Sequence, residues 1–192
     1  MNNIFSLLSK FHVFTILISL WIAPFCTFSQ NKLHFKDLEN NEYKLKKNST
    51  NIFVFLDTEC PISQQYVRNL ESLKLEFSQY NIRFWAVFPT KGVTKEEIAI
   101  FQGKFNFQYP SIIDDRKKLT QTLDAETTPE VFILNDKNKV LYRGAIDNLY
   151  YDLGKKRLNA SIFYLKNVLN NIIERQPITI KKTKAIGCDI ER

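Results

Sequence analysis

The residues best suited to do chemistry are Cys60-Pro61-Ile62-Ser63 and, far along the chain, Cys188. Ahead of Cys60 lies a five-residue apolar run, Ile52 to Leu56, whose length and β-branched and aromatic content predict a buried strand. Behind it, apolar residues recur at Ile62, Tyr66, Leu70, Leu73 and Phe77, the spacing of one helix face. Pro61 suits the first helical position, where a missing N–H costs nothing. A sulfur at such a strand-to-helix junction meets unpaired N–H groups and the positive end of the helix, which favour a thiolate over a thiol. The alternative is a cysteine that serves only as a small buried hydrophobe. Asp57 reads either as a proton-handling carboxylate near the sulfur or as a polar residue flanking the helix.

The chain has 192 residues, enough for one domain with a real core, preceded by a segment of another kind. Lys10, an almost wholly apolar stretch from Phe11 to Cys26, and small residues at Thr27 and Ser29 describe a secretory signal peptide cut before Gln30. A retained anchor is the alternative, but the stretch falls short of the ~20 apolar residues of a comfortable span. Lipoprotein processing at Cys26 is disfavoured by the bulky Phe25 before it. The expected organisation is therefore 1–29 signal peptide, 30–176 folded domain and 177–192 C-terminal tail, in a periplasmic or secreted protein. Cleavage would leave two cysteines, Cys60 and Cys188, which in an exported protein can pair stably or cycle. It would also remove one lysine and no acid from a formal charge of +7. The lysines are scattered apart from Lys181, Lys182 and Lys184, which implies a solvated surface and no nucleic-acid partner. Of the two histidines only His34 would remain, remote in sequence from both cysteines, so no metal site is implied. No phosphate-binding loop or haem motif is present, and no cofactor is implied.

Other elements must hold these sulfurs. Leu33 to Leu38 and Glu42 to Leu45, around an Asn-rich turn, predict a β-hairpin. Ile82 to Phe88 predicts a second buried strand. Thr94 and Glu97 form a capping box for a helix that buries Ile98, Phe101 and Phe105. A short strand over Tyr109–Asp114 and a short helix over Arg116–Leu123 follow. Val131–Leu134 and Val140–Gly144 read as a hairpin, residues 147–158 as irregular, and Asn159–Arg175 as a long helix with Ile162, Leu165, Leu169 and Ile172 inward. The tail beyond Ile178 shows little periodicity. The class expected is α/β, a mixed central sheet flanked by helices, with an N-terminal β-hairpin and a C-terminal tail.

From Ile52 to Arg175 the order of parts resembles the thioredoxin superfamily, and more closely its exported redoxin (AhpC/TSA-like) group. The resemblance is carried by Glu59-Cys60-Pro61-Ile62-Ser63, Thr128-Pro129-Glu130-Val131-Phe132, Tyr142-Arg143-Gly144-Ala145-Ile146-Asp147 and Gly187-Cys188-Asp189-Ile190. It implies a thioredoxin-like fold, a nucleophilic Cys60, and a cis proline at Pro129 that bares the Thr128 backbone for pairing with a bound peptide. Departures are informative. Ser63 replaces the usual second cysteine, so no short disulfide can form at the helix start. Glu59 replaces a tryptophan, and its charge opposes thiolate formation. Phe53 and Asp57 stand where a peroxiredoxin would need proline and threonine or serine. Arg143 is expected either to stabilise a thiolate or peroxide, or to pack against an aromatic ring.

The function implied is an exported thiol-disulfide oxidoreductase acting on protein or small-molecule thiols and disulfides, without stable membrane insertion after cleavage. Cys60 would attack, and Cys188 is the internal candidate to resolve the product. A permanent Cys60–Cys188 staple is the alternative use of that pair, contributing ~4–5 kcal/mol by the chain-entropy argument. Two other functions remain open: a thiol peroxidase, and a redox-inactive module binding a partner at Thr128-Pro129.

Overall fold

A computed structural model of the chain describes residues 33–191; the expected signal peptide and its cleavage site lie outside them. In chain order the elements are β1 (His34–Lys36), β2 (Glu42–Lys44), β3 (Thr50–Phe55), α1 (Pro61–Glu76), β4 (Ile82–Phe88), α2 (Lys95–Phe105), β5 (Ser111–Ile113) and α3 (Lys118–Leu123). Then come β6 (Thr127–Thr128), β7 (Glu130–Leu134), β8 (Val140–Gly144), β9 (Tyr150–Asp152), β10 (Lys155–Lys156), α4 (Tyr164–Ile173) and β11 (Cys188–Asp189). The central sheet runs β5-β4-β3-β7-β8. Its β3, β4 and β5 are parallel, β7 runs against them, and the edge strand β8, antiparallel to β7, returns to their direction. This is the expected mixed sheet.

Strand alternation divides the core in two. Ile52 and Val54 of β3, Phe84, Ala86 and Phe88 of β4, and Val131 and Ile133 of β7 join α1, α2 and α4 in one cluster. Their neighbours Phe53, Phe55, Trp85, Val87 and Phe132 face the other way, against α3 and the β1–β2 hairpin. Both faces of the central strands are therefore covered, which is why residues 52–56 and 84–88 read as unbroken apolar runs. Trp85 donates its indole N–H to the Asn51 side chain, so even that polar atom is satisfied inside the sheet. Phe35 and Tyr43 clasp Trp85 from the hairpin, with ring centroids 4.8 and 4.7 Å away. Among the described residues no helix is long and apolar enough to cross a membrane.

Two expectations are corrected. The last helix begins at Tyr164, five residues later than its apolar spacing suggests. The Asn148 side chain accepts the N–H groups of Ser161 and Ile162, and Ile162 in turn accepts from the Asn148 N–H, so this stretch bonds to a loop and not to itself. Ile162 is accordingly exposed, while Leu165 and Leu169 are buried as expected. Residues 147–158 are also not wholly irregular, because β9 and β10 form a small antiparallel ribbon within them.

The tail is built in as well. Lys181 and Thr183 bracket Arg143 of the edge strand β8, which donates its N–H to the Lys181 carbonyl (3.0 Å) and accepts the Thr183 N–H (3.1 Å). The chain then crosses the end of the sheet and pairs as β11 with β6. Two glycines make room. A Cβ on Gly144 would lie 2.2 Å from the Thr183 carbonyl oxygen, and one on Gly187 would lie 2.0 Å from that of Thr128.

Candidate functional site

Cys60 is the N-cap residue of α1, directly ahead of Pro61 at the first helical position. No side-chain cap closes this helix start, which leaves the Ser63 backbone N–H to stabilise charge on the sulfur. The turn before the helix is tied by Asp57. Its carbonyl accepts the Cys60 N–H, and its carboxylate accepts the Glu59 N–H (2.8 Å) and the Thr90 hydroxyl (2.9 Å). Ser63 is fully buried and its hydroxyl accepts the Asp57 N–H at 3.3 Å. Glu59 is exposed, with its carboxylate toward solvent.

Opposite the sulfur runs the Glu126–Pro129 segment. The Thr128-Pro129 peptide bond is cis. The Cys60 thiol donates to the Thr128 carbonyl at 3.2 Å. Along that backbone runs the tail, antiparallel, with Cys188 in register with Thr128 and Asp189 with Thr127. Ile190 donates its N–H to the Glu126 carbonyl at 3.0 Å. The hydroxyls of Thr127 and Thr128 both donate to the Cys188 carbonyl, at 2.9 and 3.3 Å. Both cysteines are free thiols.

The two thiols differ in acidity. Burial pushes the Cys60 thiol up, but hydrogen bonds from the Cys188 thiol and from the Ser63 backbone and hydroxyl outweigh it, and the net direction is below an ordinary thiol. Cys188 is pushed up to about 12 by burial, by its bond to Cys60, and by the charges of Cys60 and Asp57. Of the two, Cys60 is thus the sulfur that ionises first, with the Cys188 thiol placed to donate to the charge that forms. Tyr150, its ring tilted 52° to that of Tyr66 with centroids 5.9 Å apart, is close enough that burial and then the Cys60 charge raise its phenol. Tyr66 in turn is anchored by a buried hydrogen bond to Asp147.

Of the residues singled out in the sequence, Cys60, Pro61, Ser63, Asp57, Thr128, Pro129 and Cys188 converge on one site. Arg143 is directed elsewhere. Its guanidinium bonds Glu130 (3.2 Å) and Asp124 (3.1 Å) and lies 5.2 Å from the centre of the Phe132 ring. The packing alternative therefore describes it, and its effect on the site is indirect: it pins the loop that leads into β6. Sequence reasoning missed Thr127, Thr90 and the Glu126 carbonyl. It also passed over a usable signal, the every-second-residue pattern Ile186, Cys188, Ile190. Ile186 and Cys188 pack on the first core cluster and Ile190 enters the second.

Solved structures share this arrangement of elements. An uncharacterized conserved protein from Geobacillus kaustophilus superposes with a TM-score of 0.71 at 18% identity, covering 84% of this chain and 88% of that one. A hypothetical protein from Sinorhizobium meliloti gives 0.71 at 14% identity, covering 83% and 90%. A thioredoxin-like protein from Aeropyrum pernix gives 0.53 at 15% identity, covering 59% of this chain and 80% of that one. The fold is thioredoxin-like. Comparison with curated protein sequences yields no match. Comparison with protein families matches residues 23–143, more than half of the chain, and on that match the protein belongs to the AhpC/TSA family.

Proposed function

We propose that the protein is an exported thiol-disulfide oxidoreductase in which Cys60 attacks and Cys188 resolves. The observation that carries this reading is the register of β11 on β6, which sets Cys188 opposite Thr128 while the Cys60 thiol bonds the Thr128 carbonyl. Export rests on the N-terminal segment 1–29 as read from the sequence.

The Cys60 thiolate attacks one sulfur of a substrate disulfide, forming a Cys60–substrate mixed disulfide and releasing the other sulfur as a thiolate that takes a proton from water. Cys188 then loses its proton, attacks the Cys60 sulfur and expels the second substrate thiolate. The substrate gains two electrons and two protons, and the protein is left with a Cys60–Cys188 disulfide. An external dithiol reductant must restore it. Burial still holds the Cys188 thiol up at the second step, but part of the rise is relieved by then. Two of its causes, the bond to Cys60 and the Cys60 charge, vanish once Cys60 is in a disulfide. Resolution is therefore eased when it is needed and suppressed before.

The peroxidase alternative has less support here, because Arg143 is committed to Glu130 and Asp124 and the positions of the peroxidatic motif hold Phe53 and Asp57. The test is thiol counting by a mass-shifting alkylator after stoichiometric low-molecular-weight disulfide. Wild type should lose both thiols and retain no adduct. Cys188→Ser should retain one adduct on Cys60, and Cys60→Ser should react slowly if at all. An adduct held by wild type, or a Cys60→Ser variant as fast as wild type, overturns the reading. Sulfenic acid formed at low peroxide but no exchange with disulfide would favour the peroxidase.

A further inference from the structure

Cys60 is only 2% exposed, and part of what closes over it is the chain's own tail. A substrate sulfur cannot reach it while β11 stays paired with β6. The tail is at the same time a detailed imprint of what that strand position accepts. It is held by main-chain and threonine hydroxyl bonds that any extended peptide could make: the Ile190 N–H to Glu126, and the Thr127 and Thr128 hydroxyls to the Cys188 carbonyl. Two side-chain positions, by contrast, are selective. At Gly187 a Cβ would meet the Thr128 carbonyl oxygen at 2.0 Å and its carbon at 2.6 Å, both fixed backbone atoms, so only glycine fits ahead of the cysteine. Two residues beyond the cysteine, Ile190 is 8% exposed and packs into the cluster of Phe55, Phe132 and α3, a place for an aliphatic side chain.

Resting on the oxidoreductase reading, we propose that the strand site beside Cys60 selects an extended protein segment of the pattern glycine-cysteine-any-aliphatic. Its selectivity is set by the Thr128 carbonyl and the Ile190 socket, and the chain's own tail is the resident competitor. A substrate strand displaces the tail and places its disulfide-bonded cysteine where Cys188 had been. The tail's return then expels the substrate strand in the same movement that brings Cys188 back to the mixed disulfide. Resolution and product release are one strand exchange. Because the tail is tethered, it competes at an effective concentration of millimolar order, so substrates that lack the pattern are held off.

The test uses the full chain and a fluorescent peptide of residues 182–191 carrying Cys188→Ser, which cannot exchange thiols. In the chain variant Gly187→Ala, the tail is blocked by the Thr128 carbonyl, and peptide affinity should rise about tenfold or more over wild type. Adding Gly187→Ala or Ile190→Asp to the peptide should abolish binding to that variant. Equal affinity of the two chains, or unimpaired binding of either altered peptide, overturns the proposal. Hydrogen exchange on the wild-type chain gives an independent reading: excess parent peptide should unprotect the Ile190 amide of the tail, and unchanged protection overturns the proposal. Protection that instead depends on protein concentration would make a second copy the resident and also overturn it. Because the peptide carries no thiol, lost disulfide exchange with intact peptide binding would sink the oxidoreductase reading alone. Intact exchange with no peptide binding would sink this inference alone.

Discussion

The two cysteines are held in opposite ways. Cys60 stands between β3, five of whose six residues are buried, and α1, which sends Ile62, Tyr66, Val67 and Leu70 into the core. Cys188 stands in a stretch where, from Lys181 to Glu191, only Gly187 and Ile190 are buried. The first sulfur is fixed by packing that cannot open without unfolding the domain. The second is fixed by a few main-chain and threonine hydroxyl bonds and by the packing of Ile186 and Ile190, a small set of contacts of the kind that opens locally at a fraction of the global free energy. A nucleophile on rigid elements facing a resolving group on a detachable one suits a cycle in which a substrate must enter between them.

Stability measurements can break this comparison. Leu70→Ala removes a fully buried side chain from the centre of α1 and should cost about 2–5 kcal/mol in urea titration. Ile190→Ala should cost about 1 kcal/mol or less globally, because the tail can leave before the domain unfolds, yet it should strip protection from the Ile190 amide. Equal global losses for the two would mean that the tail is part of the core unit, and the contrast would fail.

Arg143→Met tests whether the loop under the tail is separately secured. Glu130 is 4% exposed and depends on the Arg143 guanidinium at 3.2 Å. Without that cation the buried carboxylate keeps only the Glu126 N–H (2.9 Å), and the loss should be about 3 kcal/mol by urea titration. The same change removes the ties of Arg143 to Asp124 and Glu126, so the Ile190 amide should exchange faster as well. A stability loss without faster exchange would show that Arg143 serves the sheet alone.

Legibility in the sequence follows the same divide. β3, α1, β4 and the Thr94–Glu97 capping box lie where their residues predict, because burial on a regular element leaves a period and a cap leaves a spacing. The late start of α4 was hidden because Asn148, a residue eleven or more positions upstream in a loop, captures the amides that the helix pattern would have claimed. The partnership of β11 with β6 was hidden for a related reason. A two-residue strand is specified by which backbone it meets, and only Ile186, Cys188 and Ile190 record which side faces inward. The residues that converge around Cys60 were named from the family resemblance. The direct register of Cys188 on Thr128 was not, since sequence carries no distance.

The electrostatic difference between the sulfurs gives a smaller, sharper test. The Cys60 thiolate, followed by ultraviolet absorbance as a difference between wild type and Cys60→Ser, should appear below the pH of an ordinary thiol. Cys188→Ala deletes the donor to that thiolate, so the midpoint should move upward. A midpoint that stays put would assign the lowering to the Ser63 amide and helix terminus alone, and Cys188 would then lose its part in activating Cys60.

The smallest effect expected concerns Asp57, which the sequence left as either a proton-handling group or a turn former. Both features occur in the structure: its carboxylate ties Glu59 and Thr90, and its charge is among the causes that raise Cys188. Asp57→Asn keeps an oxygen to accept hydrogen bonds but removes the charge. If the charge matters, Cys188 should ionise at lower pH in the variant, because a neutral neighbour no longer opposes a second negative group. The reading should be taken as the pH dependence of Cys188 alkylation in a Cys60→Ala background, where the larger influence of Cys60 is gone and the remaining shift belongs to residue 57. A downward shift there makes Asp57 a brake on Cys188 that keeps the resolving thiol protonated while the tail is docked. No shift would leave Asp57 as the residue that closes the turn before α1, and the restraint on Cys188 would then come from burial and Cys60.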